Sequence, residues 1–481
     1  MRTPGKRVHL LALLGALLGA VACGPSEKST GVGAAGDFPV QPGGGKTDVA
    51  GRRIIGVASP YPADPSLAAR QNELDQRIDL RRETAWDIVA RVLEPVPLVE
   101  PRLADDPAAL PRIARWQTWY SKDDFSRMFK KLYRDLGTDG RKARAPFSDE
   151  ALSSIFRWNA TALDETPSWP LERYLDYVKG LDEQVDFDGV GGDFRIAYSP
   201  ATMMHWLRNY RRVLECAKNK TQFEAGAEPV DAKNHAGCLD SEFPTDAALV
   251  KAQWFRSDFG MQLPSYDTTP ESLQVRLGPD GSKQWGPGDS QADPDATKAH
   301  TVRLRNGSRY RLGALHIVTK ELRHWVWITL WWSPQPDGGF GADRPESIRK
   351  LGGAWSNYNM CVVTDYTEGD EDPVGRFRDK YPQLSAALAA VQAGKGQPTW
   401  CSNGYVERGR GNANTNCIGC HQHAGTGART RDIIDSEAFP HNGRTQLRQN
   451  FPGDYAWSFD RGDNISRFIF AEAQYYDSFE Q

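Results

Sequence analysis

The chain has 481 residues, 39% of them hydrophobic and 25% charged, with 45 glycines and 31 prolines. That composition belongs to a globular, loop-rich protein with room for two or three domains, and excludes both a disordered chain and a multi-span membrane protein. Lys plus Arg (59) against Asp plus Glu (62) gives a formal charge of −3; without a basic patch interleaved with aromatics, nucleic acid is not an expected partner.

The first residues read as an export signal. Arg2, Lys6 and Arg7 precede an apolar run from Val8 to Ala22, broken only by His9, which is short for a membrane span. The run closes in Ala20-Val21-Ala22-Cys23, and small residues before a cysteine resemble the lipobox of bacterial lipoproteins. That resemblance implies cleavage before Cys23 and its acylation, leaving the body tethered to a membrane surface. Gly24 after the cysteine points to the outer membrane, on the periplasmic side of the envelope. Residues 23–60 are rich in Gly, Ser, Pro and Ala and read as a flexible tether.

Residues 61–240 read as a helical domain. Leu67, Leu74, Ile78, Ala85, Val89 and Val92 form one apolar stripe. Ser121 and Asp124 make a capping box ahead of Phe125, Met128, Phe129, Leu132 and Leu136, with Gly137 as the stop. Ser199-Pro200 opens a further helix carrying Met204, Leu207, Tyr210 and Leu214.

Residues 241–394 change to a period of two. "ALVKAQWF", "LQVRL", "YRLGALHIVTK" and "HWVWITLWW" are bounded by Gly, Pro and Asp clusters and read as antiparallel strands. Strict alternation puts Trp325, Trp327 and Trp331 on one face with Thr329, and Trp332 on the other. One helix is expected near 380–393. The acidic stretches Asp186–Asp193 and Asp365–Asp372 lack the spacing of a calcium loop and read as solvated loops. The expected fold is α+β: a helical N-terminal half, an antiparallel β-rich C-terminal half, and a loop-rich tail, 395–481, packed on the sheet.

The tail carries "NTNCIGCHQHAG", residues 414–425. Two thiols separated by two residues can each add across one vinyl group of the same haem, and the adjacent imidazole then falls to the iron. Cys417, Cys420 and His421 therefore read as the attachment site of a single covalent haem c, with His421 as proximal ligand. A thioredoxin-type motif would need a βαβ setting that is missing here. A zinc site on Cys417, Cys420, His421 or His423 lacks a second ligand pair, and a plain Cys417–Cys420 disulfide leaves His421 without a role. Setting aside Cys23, Cys417 and Cys420 leaves an even remainder of the seven cysteines. In an oxidising compartment, sequence proximity pairs Cys216 with Cys238 and Cys361 with Cys401.

No methionine follows His421, so the tail cannot supply a downstream axial Met. His423 is too near the proximal ligand to reach the opposite face of a haem. His441 is a downstream alternative, and His205, His235, His300, His316 and His324 lie upstream with Met203, Met204, Met261 and Met360. A lone His or Met in an apolar run usually packs.

Lys251-Ala-Gln-Trp254, Ala314-Leu-His-Ile-Val-Thr-Lys320, Trp325-Val-Trp-Ile-Thr329, the late Cys417–His421 and the closing "DYAWSF" at Asp454–Phe459 occur in that order. In order and motif, residues 245–481 resemble a group of bacterial monohaem cytochrome c family proteins. Where that family carries Phe-Glu-His after its Trp-Val-Trp strand, this chain has Leu330-Trp331-Trp332. The histidine that persists is His316, which the resemblance puts first for the sixth iron position. The expected function is that of an exported, lipid-anchored c-type cytochrome passing electrons to a redox partner. A haem enzyme of peroxidase or oxidase type with an open distal site, or a haem-based sensor or binding lipoprotein, are the alternatives.

Overall fold

In the computed structural model, residues 46–47, 53–54, 58–97, 112–156, 192–218, 242–257, 260, 262–269, 272–273, 285–303, 309–365, 399–407, 416–421, 454–456 and 464–479 are described. Cys23, Cys238 and His441, the acidic loop 186–191 and the helix expected at 380–393 lie outside them, as do the side chains of Cys216 and Cys420.

The apolar stripe that starts at Leu67 forms in three pieces rather than as one helix. A 3₁₀ turn at Pro65–Arg70 is capped by Asp64, a short helix spans Gln71–Gln76, and α1 runs from Ile78 to Leu93. Arg77, with φ −129° and ψ 91°, breaks the path, yet Leu67, Leu74 and Ile78 all stay buried. Two arginines of α1 are buried as well. Arg82 pairs with Asp343 at 2.6 Å and donates to the carbonyl of Phe340. Arg81 donates to the carbonyl of Leu74. Arg82 thus meets the carboxylate that a buried cation requires, while Arg81 is held by carbonyl and hydroxyl oxygens.

α2 spans Lys122–Asp135 and has the capping box legible in its sequence: Ser121 N donates to Asp124 Oδ2 at 2.8 Å, and Asp124 N to Ser121 Oγ at 3.2 Å. Gly137 takes φ +67° and turns the chain away, a conformation that costs glycine little. β1 (Gly192–Tyr198) follows, then Ser199 caps α3 (Pro200–Arg208), and α4 covers Tyr210–Lys218.

The remaining strands of the main sheet are β2 (Ala248–Arg256), β3 (Thr301–Arg303), β4 (Arg309–Thr319), β5 (Val326–Trp332) and β6 (Tyr358–Val363). They form one antiparallel sheet in the order β6-β5-β4-β2-β1, with β3 also on β4. β1 comes from the helical half, so helices and sheet share one core within the unit Ala34–Gln481. Every residue of β5 and β6 is buried, as in a sheet covered on both faces. A bulge interrupts the β4–β2 register between Leu312 and Ala314. Gly313 sits there because a Cβ would come within 2.5 Å of the Phe255 ring and 2.8 Å of Tyr405. The architecture is α+β, helical first and antiparallel second.

Two local expectations change. Trp325 does not belong to the alternating strand: β5 starts at Val326, and Trp325 precedes it at φ +67°. The tail is not only loop. A five-residue helix, α5, covers Cys417–His421, and α6 (Asn464–Phe479) returns to pack on α2 and α4, burying Ile465, Ile469 and Ala473 at four-residue spacing.

Cys361 and Cys401 form a disulfide across a sequence separation of 40, tying the 399–407 loop to β6. Replacing both with alanine is expected to lower stability by about 2–4 kcal/mol, from the loop-closure entropy returned to the unfolded chain; urea unfolding of the oxidised wild type and the double variant measures it.

Candidate functional site

In an antiparallel sheet, directly paired residues project from the same face. His316 on β4 pairs with Lys251 on β2 and with Thr329 on β5, which in turn pairs with Cys361 on β6. Trp327 and Trp331 stand two places either side of Thr329 and share this face.

The 399–407 loop lies over the row. Besides the Cys361–Cys401 bond, Asn403 Nδ2 donates to Thr329 Oγ1 at 2.7 Å and to the Leu330 carbonyl at 3.0 Å. From below, Arg81 Nη2 of α1 donates to Thr399 Oγ1 at 2.9 Å. The carbonyl of Thr399 accepts from Asn416 Nδ2 at 3.1 Å, and α5 starts at the next residue. So the sheet positions the loop, and the loop positions the helix that carries the CxxCH motif.

α5 brings Cys417 and His421 against the sheet. Cys417 Sγ lies 3.9 Å from His316 Nδ1. The rings of His421 and His316 have centroids 5.9 Å apart with planes at 29°, and Trp327 packs 4.4 Å from the His421 ring. His421 Nδ1 lies 2.9 Å from the carbonyl oxygen of Tyr455. A carbonyl can only accept, so Nδ1 carries the proton and Nε2 is left with the lone pair. Burial holds His421 down to about 4, opposed by that hydrogen bond, and holds His316 well below the usual histidine range, helped by mutual repulsion with His421 whenever both would be protonated and by the charge of Lys251. Both imidazoles are neutral at pH 7, the form in which histidine binds metals.

These donors suit a haem iron. A ligating histidine characteristically gives its second N–H to a carbonyl, as His421 does. His421 with Cys417 would hold the group from one side, and His316 would approach it from the sheet. Cys420 occupies its place in α5.

The carbonyl that orients His421 belongs to a strained turn. Asp454 and Tyr455 take φ of +43° and +67°, the left-handed region that costs an ordinary residue roughly 1–2 kcal/mol. A buried ion pair holds them there: Lys320 Nζ donates to Asp454 Oδ1 at 2.8 Å, with side chains 3% and 7% exposed. Phe243 N donates to the other carboxylate oxygen at 2.9 Å. Lys320 also donates to the Arg323 carbonyl at 2.7 Å and lies 5.5 Å from the Trp325 ring centroid.

A second cluster overlaps the first. His316, Glu407 and Cys417 each offer a ligand atom, all within 4.8 Å of one another. Burial pushes the Glu407 carboxyl up to about 7 against the pull of Lys251, and its Oε2 accepts from Asn403 N at 2.6 Å. Glu407, Lys251, Asp454 and Tyr455 carry no role legible in the sequence. Only the Lys-Ala-x-Trp, Leu-His-Ile-Val-x-Lys and Asp-Tyr-Ala-Trp stretches, which hold Lys251, His316 with Lys320, and Asp454 with Tyr455, give a signal.

The other upstream histidines among the described residues have partners elsewhere, and His235 lies outside them. His205 stacks on Phe243, His324 Nδ1 lies 3.1 Å from Asp365 Oδ2, and His300 packs 4.3 Å from Trp355 with Gln117 Nε2 at 3.1 Å. Met203 is buried in α3, and Met360 sits on β6 one residue out of step with the His316 row.

No known family, curated protein or solved structure matches this chain significantly. Among the described residues no helix is long and apolar enough to cross a membrane.

Two outcomes are expected from this geometry. Asp454→Ala or Lys320→Met strands a buried charge and should cost about 3–5 kcal/mol, whereas Lys320→Met with Asp454→Leu should recover much of that loss; urea titration of the three variants tests the pair. Burial also lowers His300 to about 3, so below pH 6.5 the unfolded chain takes up protons that folded His300 and His421 refuse. Stability is complete above that pH and should fall by roughly 1.4 kcal/mol per pH unit per histidine toward pH 4. His300→Gln should remove one share of that slope in unfolding measured between pH 4 and 8.

Proposed function

We propose that the chain is an exported, lipid-anchored monohaem c-type cytochrome: Cys417 and Cys420 attach one haem, His421 ligates its iron, and the bound group carries electrons to a redox partner. The observation that carries this reading is the helical CxxCH motif, docked on a sheet face with His421 Nδ1–H given to a backbone carbonyl. When bound, haem supplies a one-electron redox centre. The chain's own part would be to fix the His421 ring through Tyr455, to shield it with Trp327, and to offer the neighbouring His316 of β4 as a further donor.

Export is supported by the amino-terminal signal and by the Cys361–Cys401 disulfide, since such bonds persist in oxidising compartments. Acylated Cys23 then places the body on the periplasmic side of a membrane surface, probing partners at the length of its tether.

A second reading, a haem enzyme, is favoured by one observation. Glu407 sits beside His316 with its carboxyl pushed up to about 7, able to give and take a proton near neutrality.

The test is to mature the full chain in a host that attaches c-type haem. Porphyrin should stay with the polypeptide after denaturation, and should be lost from Cys417→Ala/Cys420→Ala. The native protein should be six-coordinate and low-spin, and His316→Ala should become high-spin and bind added imidazole. A colourless chain of unmodified mass removes the proposal; unchanged coordination in His316→Ala removes the axial assignment; rapid turnover of hydrogen peroxide selects the enzyme.

A further inference from the structure

The cluster of His316, Glu407 and Cys417 has a chemistry that haem attachment does not use. It combines an imidazole nitrogen, a carboxylate oxygen and a sulfur, from β4, from the loop held by Cys401 and Asn403, and from α5. This is the mixed donor set of a three-ligand zinc-class site, whose fourth position is left to water. We propose that the haem-free chain binds one divalent cation of that class at His316, Glu407 and Cys417.

The geometry needs little adjustment. A tetrahedral ion with bonds of about 2.0–2.3 Å sets its ligand atoms roughly 3.3–3.7 Å apart. Cys417 Sγ and His316 Nδ1 are already at 3.9 Å, and no pair in the trio exceeds 4.8 Å. Closing the remaining ångström is within reach of rotamer changes in Glu407. His316 is neutral and ready to ligate. Cys417 gives its thiol proton to solvent as the metal–sulfur bond forms, so binding strengthens as pH rises.

Lys251 is the opposing group. It pairs with His316 across β4 and β2, and its charge acts on both His316 and Glu407. It stabilises the Glu407 carboxylate while the site is empty and repels the cation once it arrives. Thiolate and carboxylate together neutralise a divalent ion, which leaves the lysine charge as a tax on affinity rather than a bar.

The consequence rests on the haem reading only for what displaces the ion. Addition of the Cys417 S–H across a vinyl group makes an S–C bond and sends the hydrogen to the neighbouring carbon. The sulfur is then a thioether, a far weaker ligand for zinc. Metal and haem therefore compete for one sulfur atom. In an oxidising compartment a bound cation would also keep the thiol from pairing with Cys420 before haem arrives.

The experiment uses the full chain produced without haem-maturation factors and handled without oxygen, so that Cys417 and Cys420 stay as thiols while the buried Cys361–Cys401 disulfide stays intact. Titration with Co²⁺ should give one ion per chain with near-ultraviolet thiolate-to-cobalt absorption, displaced by Zn²⁺. Cys417→Ser should abolish that absorption. His316→Ala and Glu407→Gln should weaken binding at least roughly tenfold. Lys251→Met should tighten it roughly three- to tenfold, and Cys420→Ser should leave it unchanged. Far-ultraviolet circular dichroism checks that each variant is folded, and His316→Ala with Glu407→Gln carry the test should Cys417→Ser not fold. Absence of binding overturns the site. So does absorption that survives Cys417→Ser, or that is lost in Cys420→Ser, which would move the ion onto the paired thiols. In matured protein the site should take up no Co²⁺; uptake there overturns the competition. A chain that binds cobalt but never takes haem leaves this site standing and removes only the cytochrome.

Discussion

The register of one antiparallel sheet decides where chemistry can occur in this protein. Pairing His316 with Lys251 on one side and with Thr329 on the other puts a cation, an imidazole, a hydroxyl and a disulfide sulfur in a single row. A slip of one residue would turn His316 to the face carrying Leu315, Ile317, Ile328 and Leu330. That face is dry and aliphatic, and a histidine there would have no partner. The bulge at Gly313 matters for the same reason: it absorbs the irregularity near Leu312 before the strand reaches His316. Downstream parts follow from the row, because the disulfide and the Asn403 bonds set the loop, and the loop sets α5.

The opposite support of His421 is built from strain held in check. Two consecutive non-glycine residues in the left-handed region persist only where their surroundings over-determine them. Here a buried ammonium, a backbone N–H and a carboxylate do so together. A buried ion pair contributes little net stability against an apolar substitute, since desolvation offsets most of the Coulomb gain. What it supplies is geometry, a carbonyl held at one place and angle. Trp325, also at positive φ, lies beneath the same lysine, so three such positions gather near the motif, Arg144 being the exception.

Much of this was legible in the sequence, and the rest fails for identifiable reasons. Capping chemistry at Ser121–Asp124 and Ser199 is local, so it reads correctly from a few residues. The Val, Ile and Trp runs announce strands because packing on a pleated surface selects them. Sequence proximity was enough to pair Cys361 with Cys401. It could not show that this bond lies in the same row as His316, which is a fact of register across strands. Arg77 breaks an otherwise continuous apolar stripe, and nothing in a period of 3.6 signals it. α6 was hidden because Ile465, Ile469 and Ala473 follow a motif-bearing segment whose other residues look like loop. Glu407 could not have been found at all: it is one of many acidic residues, made special only by the loop that encloses it.

Two opposing effects set the state of Cys417. Burial to 6% exposure disfavours the thiolate, while Lys251 on the neighbouring strand and the N-terminal end of a helix favour it. The helix contribution is small in a segment of five residues, and both nearby imidazoles are kept neutral, so neither supplies positive charge. Desolvation and these weak charges therefore act in opposite directions on a sulfur closed off from bulk solvent. Reaction requires an electrophile or a cation brought into contact with it. Burial of the sulfur at the junction of α5 and the sheet limits its contact with bulk oxidants.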